Sequence, residues 1–308
     1  MKCSPMLTKI GNKSDLSKKG YLFEPKVDGI RAICYKNKKI KLINRKNKDI
    51  TYQYPEFNFI KQIHTKSCVL DGEIIVYDKK GKPNFNLLQK RQLEKPLLIK
   101  TRCKEYPATY VVFDILMKNG KSLVHLPLNE RKKILDKTIT DNNQIQKIYF
   151  TKNGKKLWKE IIKKGLEGVV AKDETSKYSC GTRSSIWLKI KDLKTIDCII
   201  LGFTQGKRII SSLALGVYAK GKLKYIGSVG TGFSFNFLKD LHKTLLKLKV
   251  KKPPVEYVGT KKINWVKPKL VCEIKYLEIT KDDKLRTPVF LWMREDKKPK
   301  ECTLETQK

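Results

Sequence analysis

The strongest constraint on the fold of this chain is the shape of its apolar segments. They are short and β-rich: Ile40–Ile43, Cys68–Tyr77, Thr109–Leu116 and Gly168–Lys172, several of them ending in acidic residues. Runs of that length rich in Val, Ile, Tyr and Phe read as strands. None approaches the ~18 apolar residues of a membrane-spanning helix. Leu157–Lys164 instead carries apolar residues at helical spacing and stops at Gly165, a good helix end. From about Thr195 the texture changes. Ile196–Phe203, Leu213–Ala219, Lys222–Gly227 and Val271–Ile279 are short strands between Gly-, Lys- and Asp-rich turns, joined by one amphipathic helix, Phe235–Leu248. About five short strands with one helix predict a small barrel of the OB type. The expected division is an α+β domain at residues 1–192 followed by a β-barrel at 193–308.

Charge narrows the class of partner. Among 308 residues, 68 are Lys or Arg and 30 are Asp or Glu, a net charge of +38. Such a chain attracts polyanions, with nucleic acid the leading partner and an anionic membrane surface the second. Only nine of the basic residues are Arg, and a genome-wide compositional drift gives the same Lys-rich profile. Met1–Asp15 has no apolar h-region, so a cytoplasmic protein is expected, nucleoid-associated in a prokaryote. The eight cysteines, at 3, 34, 68, 103, 180, 198, 272 and 302, form no CxxC pair. Reduced, mostly buried thiols are the expectation. The three histidines, His64, His125 and His242, lie near neither one another nor a suitable nucleophile, which disfavours a zinc hydrolase or a Ser-His-Asp enzyme.

Two glycine-rich stretches imitate phosphate loops and fail. Gly202–Arg208 has one residue too few between Gly202 and Gly206 for a Walker A loop, and Arg208 stands where Ser or Thr is needed. Gly227–Gly232 has its glycines in the wrong order for a dinucleotide fingerprint. Both read as turns. The informative stretch is Glu24–Arg31 (EPKVDGIR), which sets a lysine beside an acid, a turn glycine and an arginine. A lysine in such a place can attack phosphorus or carbonyl once its amine is deprotonated, which nearby cations or partial burial favour. In a chain this rich in lysine, an isolated KxDG is more often a solvated turn. The series that follows changes the balance. Asp71-Gly72-Glu73 puts two carboxylates inside an apolar segment, where they are costly without a partner. Phe113-Asp114 ends the strand TYVVFDIL and offers a flat ring, core or base platform. Glu167–Lys172 (EGVVAK) has an acid and a base at its two ends, and Trp187–Lys191 (WLKIK) alternates so that both lysines face one side.

KVDGIR, DGE, FD, EGVVAK and WLKIK, in this order and spacing, resemble the nucleotidyltransferase motifs of ATP-dependent DNA ligases and mRNA capping enzymes. Leu215–Tyr218, Val229–Phe233, Trp265–Ile274, Arg286–Leu291 and Arg294–Lys297 further resemble the ligase domain of the bacterial and archaeal ligase D family. The resemblance runs from Pro5 to about Lys297. It implies an α+β nucleotidyltransferase domain, ATP-grasp-like, followed by an OB-fold, and an enzyme that seals DNA through a lysyl-AMP. It implies Lys26 as the nucleophile on the α-phosphate of ATP. Arg31 and Arg45 then contact nucleotide or phosphate, although Asn44 and Lys46 depart from the family's Ser-Arg-Asn-Gly around Arg45. Glu24 lies with the cofactor-binding set. Glu73 holds ribose hydroxyls or places metal, Phe113 stacks on adenine, and Glu167 positions Mg²⁺, with Mn²⁺ as the alternative. Lys189 and Lys191 neutralise the α-phosphate. Lys172 and Arg183 are second-tier phosphate contacts. Arg294 and Lys297 orient pyrophosphate as the barrel closes.

The implied partners are duplex DNA with nicks or breaks, a Ku-like end-binding protein, and separate polymerase and nuclease proteins, with this chain a stand-alone ligase. Without coiled-coil heptads or an exposed apolar stripe, a monomer is expected. The rival on the same fold is an RNA ligase or GTP-dependent capping enzyme. The rival of another class is a non-catalytic polyanion binder. A duplex held mainly by its backbone must bind less tightly as salt rises, because phosphate contacts release counterions. Titration of duplex DNA binding between about 50 and 200 mM salt should show a loss of at least about tenfold. Salt-insensitive binding contradicts the charge argument.

Overall fold

Strands that are buried on both faces need continuous apolar sequence, and this is what the long segments of the first part supply. The structure, a computed structural model, describes residues 3–91, 96–206 and 209–305. Lys207 and Arg208, the end of the apparent Walker A stretch, lie outside the described residues. The chain divides between Lys191 and Asp192 into two units.

The first unit carries β1 (Leu7–Ile10), β2 (Tyr21–Pro25), β3 (Ile30–Lys36), β4 (Ile40–Asn44), β5 (Cys68–Val76), β6 (Ala108–Lys118), β7 (Lys121–Ser122), β8 (Ile145–Lys147), β9 (Gly168–Asp173) and β10 (Arg183–Lys191). One sheet has the order β4-β3-β5-β6-β7, with β8 parallel to β6; the other has the order β1-β10-β9-β2. Leu22 and Trp187 of the second sheet pack on Ile33, Val69 and Leu116 of the first. The helices α1 (Phe85–Arg91), α2 (Pro96–Glu105), α3 (Leu128–Thr138) and α4 (Gly154–Lys163) complete this unit. Helix α4 begins earlier than its apolar spacing predicts, because the Asn153 side chain caps it by accepting the Lys156 N–H. It ends at Lys163, and Gly165 just beyond takes a φ of 59° that suits glycine. Leu157 and Ile161 bury its inner face against Val169 and Ile190.

β6 runs on to Lys118, so Phe113 and Asp114 lie within the strand and not at its end. Asp114 pairs bidentately with Arg131 of α3 at 2.8 and 2.9 Å, both fully buried. That pair anchors helix to sheet, and removing either partner strands a buried charge.

The cysteine expectation is corrected here. Cys3 and Cys180 form a disulfide, while Cys34, Cys68, Cys103, Cys198, Cys272 and Cys302 are free. The reason is topological: β1 runs parallel to β10 with Leu7 opposite Arg183, which brings the segments preceding both strands together across 177 positions of sequence.

The second unit is built from β11 (Lys194–Thr204), β12 (Ser212–Ala219), β13 (Lys222–Val229), β14 (Asn264–Trp265), β15 (Val271–Tyr276) and β16 (Val289–Met293), in the order β13-β12-β11-β15-β16 with β14 paired to β11. Helix α5 (Phe235–Lys247) buries Leu238, Leu241 and Leu245 with Phe203, Val217 and Phe290. Gly202 and Gly227 are not in turns as read from sequence; they lie within β11 and β13. A Cβ on Gly202 would sit 2.6 Å from the Asn264 carbonyl, so the glycine there serves a close approach of strands.

The chain crosses from the smaller sheet to the larger between β2 and β3, through Lys26–Gly29. Lys26 N–H still donates to Gly168 O at 2.8 Å, and Ile30 is already opposite Ile74. Gly29 makes this crossing possible, since a Cβ there would lie 2.3 Å from the Ile74 carbonyl. Gly168 is as demanding: its φ is 151°, and a Cβ would lie 2.1 Å from the Ile190 carbonyl. Gly168→Ala should therefore destabilise the protein by more than about 2 kcal/mol, measured by denaturant unfolding. An unchanged midpoint would show that the strand ends near Glu167 tolerate movement.

Candidate active site

Three strand ends converge beside that crossing. Lys26 follows β2, Glu167 precedes β9, and Lys191 ends β10 opposite Gly168. Lys26 Nζ donates to Glu167 Oε2, and Lys191 Nζ lies 2.7 Å from Glu167 Oε1. Burial pushes the Glu167 carboxyl up, but the two lysines outweigh it and hold the group below the ordinary carboxylate range. Lys189 stands two residues before Lys191 on the same strand face. Burial, with Lys191, Lys26 and Arg183 nearby, draws its ammonium below the usual lysine range.

A cleft of about 220 Å³ opens here, and Lys26, Arg31, Arg45, Glu73, Phe113 and Lys189 line it. Glu24, Lys172 and Arg183 line it as well. Glu167 and Lys191 adjoin it through Lys26. Arg45 is exposed just after β4, and Arg183 begins β10 with its Nη1 donating to Thr8 O at 2.8 Å.

Arg31 is fixed before any ligand arrives. Its Nε and Nη2 donate to the two oxygens of Asp71, each at 2.7 Å, and Nη2 also reaches Met6 O at 3.1 Å. Tyr178 donates its hydroxyl to Asp71 from the far side. The ring of Phe113 has the Arg31 guanidinium and the Lys172 ammonium each 4.4 Å from its centroid. Lys172 is buried, 4.2 Å from the Trp187 ring centre and 2.7 Å from Glu24 Oε2. The other Glu24 oxygen pairs with Lys132 of α3. Burial brings Lys172 down to about 8. Burial also pushes Glu24 up, yet its two lysines prevail and leave it below the ordinary range. Glu24 and Lys172 thus form a buried wall of the cleft, where the sequence suggested open contacts.

Glu73 faces Arg31 across β5 and β3. Burial drives its carboxyl up to about 7, with Arg31 and Lys26 opposing only in part. Among the described residues no group of three or more His, Cys, Asp or Glu is placed to hold a metal. The donors at hand are two carboxylates, and Glu73 is short of positive charge. That set fits a hard cation that takes most of its ligands from substrate phosphate and water.

Arg294 and Lys297 belong to the second unit and form a cluster of their own. Arg294 pairs bidentately with Asp296 at 2.9 and 2.8 Å, and both cations reach Asp197.

Sequence reasoning passed over Tyr178, Lys132 and Asp197. Asp71 reads in the sequence as a carboxylate in need of a partner, and no nearby residue identifies that partner. Arg31 lies 40 positions from Asp71, and Tyr178 lies 107. Only sheet pairing joins them.

A two-sheet domain with a lysine at the sheet crossing, followed by an OB-fold, is the architecture of the nucleotidyltransferase fold. Residues 5–191 match the family described as "ATP dependent DNA ligase domain", and residues 206–297 match the "ATP dependent DNA ligase C terminal region". The chain belongs to the ATP-dependent DNA ligase family. It is 31% identical to the multifunctional non-homologous end joining protein LigD of Mycolicibacterium smegmatis, over 98% of this chain and 40% of that protein. It is 32% identical to DNA ligase 2 of Methanosarcina acetivorans, over 92% of this chain and 53% of that one. The chain thus spans about half or less of the length of these relatives. A solved structure of mycobacterial DNA ligase D complexed with ATP and MES superposes with a TM-score of 0.57 at 28% identity, covering 98% of both chains. A Lig E DNA ligase, at 18% identity and a TM-score of 0.63, shares the fold. No described helix is long and apolar enough to cross a membrane.

The state of Glu73 has a measurable consequence. Its folded-state value of about 7 lies above the ordinary 4.5, so its contribution to stability is full below 4.5 and is lost as pH rises through 7. Glu73→Gln should therefore be more stable than the native protein at pH 8.5, by about 1–3 kcal/mol. The gap should shrink towards pH 5 in denaturant titrations. An equal gap at both pH values would mean that Glu73 is ionised throughout.

Proposed function

We propose that this chain seals 5′-phosphate/3′-hydroxyl nicks in duplex DNA, using ATP, through a lysyl-AMP intermediate. The observation that carries this reading is Lys26 held by Glu167 at the sheet crossing, with Lys189, Lys191 and Arg183 on the same side. The first unit is the adenylation domain and the second the OB-fold domain.

In the first step the Lys26 Nζ lone pair attacks the α-phosphorus of ATP. The N–P bond forms, the P–O bond to pyrophosphate breaks, and the Nζ proton passes to solvent. Glu167 Oε2 aims the amine. Lys189 and Lys191 lie where negative charge grows on the α-phosphate, and fixed charges aimed at developing charge lower a barrier without reorganising. Phe113 supplies the adenine platform, Glu73 the ribose contact, and Arg31 and Arg45 phosphate contacts. Glu24 and Lys172 hold the wall behind the base. Glu73 and Glu167 are the residues that would hold Mg²⁺, or Mn²⁺, which when bound adds positive charge to phosphate oxygens. In the second step the 5′-phosphate of the nick takes AMP, the N–P bond breaks, and Lys26 is restored. In the third the 3′-hydroxyl attacks the activated 5′-phosphorus and AMP leaves. Arg294 and Lys297 orient pyrophosphate in the first step only.

The kinship with LigD supports a role in DNA repair by end joining, alongside a Ku-like end-binding protein and polymerase and nuclease activities. The deciding experiment is sealing of a singly nicked, 5′-labelled duplex with ATP and Mg²⁺. A longer labelled strand with the native protein, and a loss of about 10³-fold or more with Lys26→Ala, is expected. Sealing by both proteins would mean that another lysine is the nucleophile. Sealing by neither, with sealing of a nicked RNA strand instead, would move the substrate to RNA.

A further inference from the structure

Asp197 is a carboxylate in the first half of β11, 5% exposed, with Ile196 and Cys198 buried on either side. A carboxylate in a barrel wall is costly unless cations repay its lost hydration. Here two do so. Asp197 Oδ1 lies 2.9 Å from Arg294 Nη1, and Oδ2 accepts from Lys297 Nζ. Glu273, opposite Asp197 on β15, stands 3.5 Å from the same Nη1. The Arg294 backbone N–H donates to Val271 O at 2.8 Å, which fixes where the side chain begins.

The outer edge of the guanidinium is held differently. Asp296 takes Nε and Nη2, but its side chain is 66% exposed against 7% for Asp197. An exposed ion pair is screened and readily exchanged; a buried, shared one is not. An incoming phosphate chain can therefore replace Asp296 on Arg294 while Asp197 keeps its hold. Without Asp197, Arg294 keeps Asp296 and Glu273 while Lys297 loses its carboxylate, so the two cations are no longer tied to each other.

We propose that Asp197 is a positioning residue for lysyl-AMP formation, its one carboxylate holding Arg294 and Lys297 side by side to receive the pyrophosphate end of ATP. This rests on the reading of Arg294 and Lys297 given above. The step concerned forms the Lys26 Nζ–phosphorus bond and breaks the bond from that phosphorus to the pyrophosphate oxygen. The later steps release no pyrophosphate, so they need no such grip.

The test compares lysyl-AMP formation from labelled ATP with sealing of a pre-adenylated nick, in the native protein, Asp197→Asn, Asp197→Glu, Arg294→Ala and the Asp197→Asn/Arg294→Ala double variant. Asp197→Asn should slow lysyl-AMP formation by about 10- to 100-fold, as displacement of aligned groups does. Sealing of the pre-adenylated nick should stay within about threefold. Asp197→Glu should recover part of the first step, and it replaces Asp197→Asn if that variant fails to fold. The double variant should be no worse than Arg294→Ala alone, since both changes remove one unit. Equal loss of both steps, no loss, or full additivity overturns the role of Asp197. If Arg294→Ala keeps lysyl-AMP formation, the reading of Arg294 falls and takes this inference with it. If Arg294→Ala loses that step and Asp197→Asn does not, only Asp197 is wrong.

Discussion

A carboxylate shared between two cations is the recurring joint of this protein. Glu167 lies between Lys26 and Lys191, Glu24 between Lys132 and Lys172, and Asp197 between Arg294 and Lys297. In a chain of 68 basic and 30 acidic residues, like-charge repulsion is the standing difficulty. A buried acid shared by two bases brings both cations to a fixed separation. At Asp197 the neighbouring Asp296 and Glu273 add two more acids; at Glu167 and Glu24 the group is left with one net positive charge. That surplus is what a phosphate chemistry needs. The arrangement does not stabilise the fold by much, because desolvation offsets most of the attraction. It sets geometry.

The three joints differ in what can reach them. Glu167 adjoins the cleft through Lys26, one of the two cations it holds. Glu24 is behind the cleft, with both oxygens engaged, and its lysines pack on Phe113, Trp187 and Phe150 rings. It makes the wall rigid. Glu73 is the exception that the pattern exposes. It faces the cleft, its hydration is largely lost, and its nearest cations, Arg31 and Lys26, are committed to Asp71 and Glu167.

Elements were legible in the sequence where one physical signal governed them. Cys68–Tyr77 and Thr109–Leu116 read as strands because both faces are buried and apolar residues run without a break. The four β-rich stretches and α5 of the second unit were visible because turns punctuate them. β1, β2 and α3 were not singled out. β1 is a half-exposed edge strand of four residues, and α3 buries Arg131 and Lys132 on its inner face, which defeats any apolar count. Gly202 and Gly227 misled because glycine marks a close approach within a strand as well as a turn.

The order and spacing of KVDGIR, DGE, FD, EGVVAK and WLKIK are properties of the sequence alone, and they carried the family and the chemical type of each group. Spacing cannot say which group is paired with which. Lys26 and Glu167 are 141 positions apart, Arg294 and Asp197 are 97, and Cys3 and Cys180 are 177. Whether Lys172 faces phosphate or a buried acid, and whether Asp71 binds ligand or Arg31, depends on strand register and on burial. Those follow from the packing of whole sheets, a sum over many weak contacts that no local stretch contains.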